Sequence, residues 1–120
     1  MKTRIMLYVS DVAKLTQFWE KTLGAKVVER VQLPEKHFAN VLAVDESTEL
    51  ALFSNAFVQK YSPEVADNRP SLMFLVSDLD AAHARIKGAT PIVDDAGTRA
   101  FGFPDPDGHY FAMGERARNF

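Results

Sequence analysis

The chain is 120 residues long, 47% hydrophobic and 25% charged, with 14 Lys and Arg against 16 Asp and Glu and no cysteine. That balance excludes a disordered chain, and a net charge of −2 excludes the basic footprint of a nucleic-acid binder, for which Arg116 and Arg118 are too few. The missing cysteines exclude disulfides, thiolate metal sites and cysteine nucleophiles together. No apolar run approaches the ~20 residues of a membrane span, and the N-terminus lacks a signal-peptide core. A soluble cytoplasmic protein is expected, with no nucleic-acid and no membrane partner.

In chain order, residues 4–9 ("RIMLYV") read as a strand that is largely apolar on both faces. Ser10 and Asp11 offer cap oxygens to a helix over Val12–Leu23, where Val12, Leu15, Phe18, Trp19 and Leu23 recur at helical spacing. Gly24 stops it. Phe18 and Trp19 are adjacent and cannot both face one sheet, so one of them is a candidate for an inter-module or inter-subunit surface. Residues 25–33 alternate as a second strand, broken by Pro34. Residues 37–44 and 49–53 form two more, joined by the turn Asp45-Glu46-Ser47. Residues 55–70 lack a clear pattern and read as a linker, with one helical turn near 57–60.

After the linker the pattern returns. Residues 71–76 ("SLMFLV") form a doubly apolar strand, Ser77 and Asp78 repeat the cap, and Leu79, Ala82, His83 and Ile86 repeat the helical stripe before Gly88. An offset of 67 residues superimposes Val9 on Val76, Ser10 on Ser77 and Asp11 on Asp78. Near the end, Phe101 and Phe103 alternate with small residues. Pro104-Asp105-Pro106-Asp107-Gly108 supplies a turn, and residues 109–114 resume alternation as a hairpin. Each half thus reads strand–helix–strand–strand–strand. The expected organisation is a single domain, 1–120, with module one at about 1–54, the linker at about 55–70 and module two at about 71–120.

The stretches "LYVSDVAKLTQFWEKTLGAKVV", "LMFLVSDLDAAHARIKGA" and "FPDPDGHYFAMGE" are similar to the vicinal oxygen chelate superfamily. That family includes glyoxalase I, extradiol dioxygenases, fosfomycin-resistance proteins and bleomycin-resistance proteins. The resemblance covers nearly the whole chain. It implies an α+β fold of two βαβββ modules whose mixed four-stranded sheets form cups, facing each other within one chain or across a dimer.

The resemblance also implies four inward positions for metal ligands, which fall here on Arg4, Ala51, Ser71 and Ala112. Arginine carries no lone pair and alanine nothing to donate, so no metal and no cofactor are expected. The alternative is a glyoxalase-like metal-dependent lyase or isomerase, or a dioxygenase, with non-standard ligands. Its candidates are His37, Glu49 and His109. His83 reads as a partly exposed helix residue.

Without a metal, the site is expected to be an apolar pocket with few polar anchors. Alternation selects Met6, Tyr8, Phe53, Met73, Leu75, Phe101, Phe103 and Tyr110, with Phe38, Asn40 and Trp19 as further candidates. Arg4 belongs to the same set, and an inward guanidinium needs a partner. Either Glu49 supplies it or an anionic ligand does, and the internal pair is preferred. Asp105 and Asp107 read as Asx-type turn residues, and Asp94-Asp95 as a solvated turn. No phosphate loop, HExxH or GxSxG motif occurs. The reading is a metal-independent binder of a small aromatic or partly apolar molecule, resembling the bleomycin-resistance proteins and acting as a homodimer. No catalytic residue is assigned.

Overall fold

In the computed structural model, which describes residues 1–95 and 97–116, the chain divides into two compact units, Met1–Pro70 and Ser71–Phe120. Arg118 lies outside the described residues, as does the side chain of Asp95.

The first unit runs β1 (Thr3–Val9), α1 (Val12–Leu23), β2 (Lys26–Gln32), β3 (Phe38–Ala43), β4 (Thr48–Ser54) and α2 (Asn55–Tyr61). The second runs β5 (Met73–Val76), α3 (Leu79–Arg85), β6 (Val93–Asp95), β7 (Thr98–Pro104) and β8 (Tyr110–Glu115). Each unit builds a mixed four-stranded sheet of the same topology, β1-β4-β3-β2 in one and β5-β8-β7-β6 in the other. In both, the first strand pairs in parallel with the last. The two βαβββ modules expected from the 67-residue offset are present.

The repeated caps do the same work twice. Asp11 Oδ1 accepts from the Lys14 amide at 3.1 Å, and Asp78 Oδ1 accepts from the Ala81 amide at 3.0 Å. Each satisfies a donor that the first turn of a helix otherwise leaves bare. α1 ends on Gly24, whose φ of 69° is the left-handed conformation that glycine takes at no steric cost.

α1 packs on β3 and β4 through Val12, Leu15, Trp19 and the methyl-bearing Thr16 and Thr22, all buried. Thr16 and Asn40 are linked across that layer by a 3.0 Å hydrogen bond, so the buried amide is paired. Of the adjacent aromatics, Trp19 is fully buried and Phe18 is left partly exposed, meeting it edge-on. In the second unit Leu79 and Ala82 of α3 are buried, and the His83 ring meets Phe101 of β7 edge-on at 4.9 Å. His83 also bonds the Thr90 carbonyl at 2.9 Å, a structural use consistent with its half-buried place.

One expectation is extended and one corrected. The helical turn near 57–60 belongs to a longer helix. The stretch 55–70 is largely structured: α2 starts on a Ser54 cap, buries Val58, and is followed by a 3-10 turn at Pro63–Val65. Asp94 and Asp95 end strand β6 instead of forming the turn itself, and Asp94 Oδ1 accepts from the Gly97 amide across that turn. Asp105 behaves as expected, its Oδ1 accepting from the amides of Asp107 and His109 at 2.9 Å each.

Candidate functional site

Each sheet has one face against its helix (α1 or α3) and one face turned away from it, called here the far face. Strand partners directly opposite share a face, so register decides which residues meet there. In the first unit the pairs Arg4–Glu49, Met6–Ala51 and Tyr8–Phe53 lie on the far face. Phe57 of α2 extends this group, its ring stacked on Phe53 with centroids 6.2 Å apart.

In the second unit the far face carries the pairs Met73–Ala112 and Leu75–Gly114, then Gly102–Ala112, Ala100–Gly114 and Pro104–Tyr110. Ala100, Gly102, Ala112 and Gly114 make a floor with no side chain longer than a methyl. Around it stand Met73, Leu75 and Tyr110, which are 52%, 61% and 62% exposed and so are not core. Met73 and Leu75 lean over the floor: a Cβ added to Gly114 would sit 3.0 Å from Met73 Sδ and 3.1 Å from Leu75 Cδ2. Only glycine lets both side chains lie that low.

Phe101, Phe103 and Phe38 are not part of these faces. Phe103 pairs with Phe111 and Phe101 with Met113, on the α3 side of the sheet, where Phe103 is fully buried and Phe101 nearly so. Tyr110 pairs with Pro104, one step along the strand, and therefore points the other way. The two phenylalanines are core residues. Phe38 pairs with Gln32, in step with the α1-facing Asn40, and the Arg30 guanidinium lies 3.8 Å from its ring centroid. Asn40 and Trp19, the further candidates, are held in the α1 layer. The signal that separates Phe103 from Tyr110 was available: a turn over 105–109 pairs position 103 with 111.

Arg4 has found its partner within the unit. Its Nε donates to Glu49 Oε1 at 3.1 Å, with Glu29 3.6 Å from Nη2, and Lys2 approaches the other Glu49 oxygen at 3.7 Å. The preferred internal pair is the one observed.

That pairing bears on the metal positions. Arg4 presents a cation already engaged with a carboxylate, Ala51 and Ala112 have no donor atom, and Ser71 offers one hydroxyl. This donor set does not fit a divalent metal, which needs several lone pairs converging at about 2.0 to 2.3 Å. The non-standard trio fits no better. His37 bonds Ser54 at one end of β4 while Glu49 stands near the other, roughly 16 Å away along the strand. His109 belongs to the second unit, where its ring nitrogen lies 3.9 Å from the Asp105 carboxylate. Among the described residues no group of three or more His, Asp or Glu side chains is gathered to hold a metal. No helix among them is long and apolar enough to cross a membrane.

Two repeated βαβββ units, each with an aromatic- and methionine-bearing far face, define an α+β protein of the glyoxalase-like class. The chain belongs to the Glyoxalase/Bleomycin resistance protein/Dioxygenase superfamily, whose family model matches residues 3–113. Among solved structures it is similar to a superfamily member from Sphaerobacter thermophilus, at 24% identity and a TM-score of 0.75 over 97% of both chains. It is also similar to TnmS3, an antibiotic binding protein from Streptomyces sp. CB03234, at 20% identity and a TM-score of 0.76, covering 98% of this chain and 96% of that one. The fosfomycin resistance protein FosX from Listeria monocytogenes is 17% identical with a TM-score of 0.73, covering 98% and 94%. At these identities the structural likenesses speak for the fold alone. No curated protein matches the sequence.

Proposed function

We propose that this protein binds a small, flat, largely apolar molecule on the far face of its sheets, without a metal ion, and that it does so as a homodimer. The observation that carries the reading is the second sheet's far face. Three large apolar or aromatic side chains stand exposed around a floor of Ala and Gly. Exposed apolar groups gathered on one sheet face mark a place where something is covered. A floor of Ala and Gly lets Met73 and Leu75 lie low, so a planar ring can rest on these side chains and on the floor they leave open. Tyr110 can add an offset ring contact, and the Met73 thioether adapts to irregular edges.

The donor set at the family's metal positions favours binding over metal-assisted chemistry here, and the antibiotic-binding TnmS3 supplies a precedent on the same fold. A second copy of the chain would cover exposed strand edges and apolar faces with one self-complementary surface.

Calorimetric titration with a panel of two- and three-ring aromatic compounds tests the ligand class, run with and without a chelator. Saturable binding unaffected by the chelator is expected. Binding that vanishes with the chelator and returns with Mn²⁺ or Zn²⁺ would overturn the metal-independent reading. Light scattering at micromolar concentration is expected to give about twice the chain mass of 13.4 kDa, and a strictly monomeric species would overturn the dimer.

A further inference from the structure

Apart from the sheet faces, the first unit holds a pocket of about 210 Å³ beside the start of α1. Its apolar lining residues are Val12, Ala13 and Phe38, and its polar ones are Asp11, Lys36, His37 and Ser54. At roughly 30 Å³ per water this is room for about seven waters, below the drug-sized range and suited to a small metabolite.

Two solvent-exposed charges of opposite sign line this pocket. Asp11 and Lys36 line the same small space, yet neither makes an ion pair with the other or with any other described residue. Asp11 commits one oxygen to the Lys14 amide and keeps the second. His37 adds a donor. Ser54 Oγ accepts from the Phe57 amide at 3.1 Å and lies 3.3 Å from His37 Nδ1. We assign the remaining Ser54 hydroxyl proton to Nδ1, which places the ring's proton on Nε2, a tautomer chosen from these bonds.

The loop that brings Lys36 and His37 here is strained. Glu35 and Lys36 have φ of 59° and 64°, two consecutive non-glycine residues in the left-handed region. Three contacts hold them there. Glu35 pairs with Lys60 of α2, the His37 amide donates to the Pro34 carbonyl at 3.2 Å, and the Leu33 amide donates to the His37 carbonyl at 2.9 Å. Glycine or asparagine would relax such a loop. Strain kept in place by surrounding contacts concentrates where a geometry is used.

We propose that this pocket binds a small zwitterion of the α-amino-acid class, its ammonium on Asp11, its carboxylate on Lys36 and His37, and its side chain against Val12, Ala13 and Phe38. One ligand then answers both unpaired charges, which a singly charged molecule cannot do. The site adjoins the first unit's far-face group, since the His37 ring meets Phe57 edge-on at 5.6 Å. Its ligand contacts use other residues, so it stands whether or not the far faces bind aromatic molecules.

The test is amide chemical-shift titration of the full chain with L-leucine, with isocaproate (carboxylate only) and isoamylamine (ammonium only) as comparisons. Two variants accompany it. Asp11→Asn keeps a capping oxygen for α1 while removing the charge, and Lys36→Met removes the opposite one; unchanged circular dichroism shows that both fold. Leucine is expected to move the resonances of residues 11–13, 36–38 and 54 saturably. It should bind tighter than both analogues, and each variant should weaken it by about tenfold or more. No saturable shift at those residues up to about 10 mM leucine, either analogue binding as tightly, or either variant binding like the natural chain overturns the proposal.

Discussion

Arg4 Nε donates to Glu49 Oε1 at 3.1 Å across the register pair that joins the first and last strands of the first sheet. The Glu49 side chain is only 10% exposed, whereas that of Arg4 is 45% exposed, so solvent screens one partner and not the other. Replacing Arg4 with Met leaves a nearly buried carboxylate with Lys2 alone. After discounting for the exposed guanidinium, the expected loss is about 1 kcal/mol of unfolding free energy, read from urea denaturation. The natural protein, dialysed and analysed by mass spectrometry, is expected to hold far less than one Zn, Ni, Mn or Fe per chain.

Phe103 and Tyr110 separate stability from binding. Phe103 is fully buried and Tyr110 is 62% exposed, on opposite faces of one hairpin. Phe103→Ala is expected to cost about 3 to 5 kcal/mol of stability, because it empties a core site. Tyr110→Ala is expected to leave stability within about 0.5 kcal/mol and to weaken a planar aromatic ligand by about 1 to 3 kcal/mol. Thermal unfolding and calorimetric titration of both variants check the pair. A reversal of the two effects would place the wrong face in contact with ligand.

Gly114→Ala asks whether the low position of Met73 and Leu75 matters. The added Cβ would meet Met73 Sδ and Leu75 Cδ2, the far ends of two flexible side chains that can swing away. Stability is therefore expected to change by less than about 1 kcal/mol. Affinity for planar aromatic probes is expected to fall several-fold, since the displaced ends occupy the space above the floor. Equal affinity in the natural protein and the variant would separate Gly114 from ligand binding.

Asp80 and Arg99 give the second unit an acid-sensitive link. Arg99 Nη2 donates to Asp80 Oδ1 at 2.7 Å, and this bond, more than the accompanying charge attraction, holds the Asp80 carboxyl below the usual carboxylate range. A folded value lower than the unfolded one means the stabilisation is complete above about pH 3.9 and is lost as pH falls through the lower folded value. Arg99→Gln should move the Asp80 carboxyl-carbon titration upward toward about 3.9 and make unfolding below that pH less steep. A titration midpoint already at the ordinary value in the natural chain would contradict the link.

Much of this fold was legible because its signals are local. Asp11 and Asp78 announce helix starts, Gly24 announces a stop, and the 67-residue offset ties the two halves together without any long-range information. The Arg4–Glu49 pair also followed from parity and charge. α2 showed itself only as one turn near 57–60, because its seven residues are too few for a periodic stripe and prolines crowd the segment after it. The faces of Phe101 and Phe103 were harder still. Alternation says that neighbours on a strand point apart, but which of them meets the helix depends on pairing across the turn, a property of two strands at once. Lys36 gave no signal, since nothing in "PEKH" demands two left-handed residues; the Glu35–Lys60 pair and the backbone bonds of His37 to Pro34 and Leu33 hold them together.

The strand order has a consequence for how the chain is made. In each unit the last strand to be synthesised is an inner one: β4 inserts between β1 and β3, and β8 between β5 and β7. A nascent chain can close the β2–β3 hairpin early, but β1 has no neighbour to pair with until residue 54 has emerged. Its apolar residues wait through that interval, the span over which a holding chaperone would act. The first sheet can then close before the second has begun. The same wait recurs from β5 to β8, so slowing translation between 54 and 71 should separate the two closures in time.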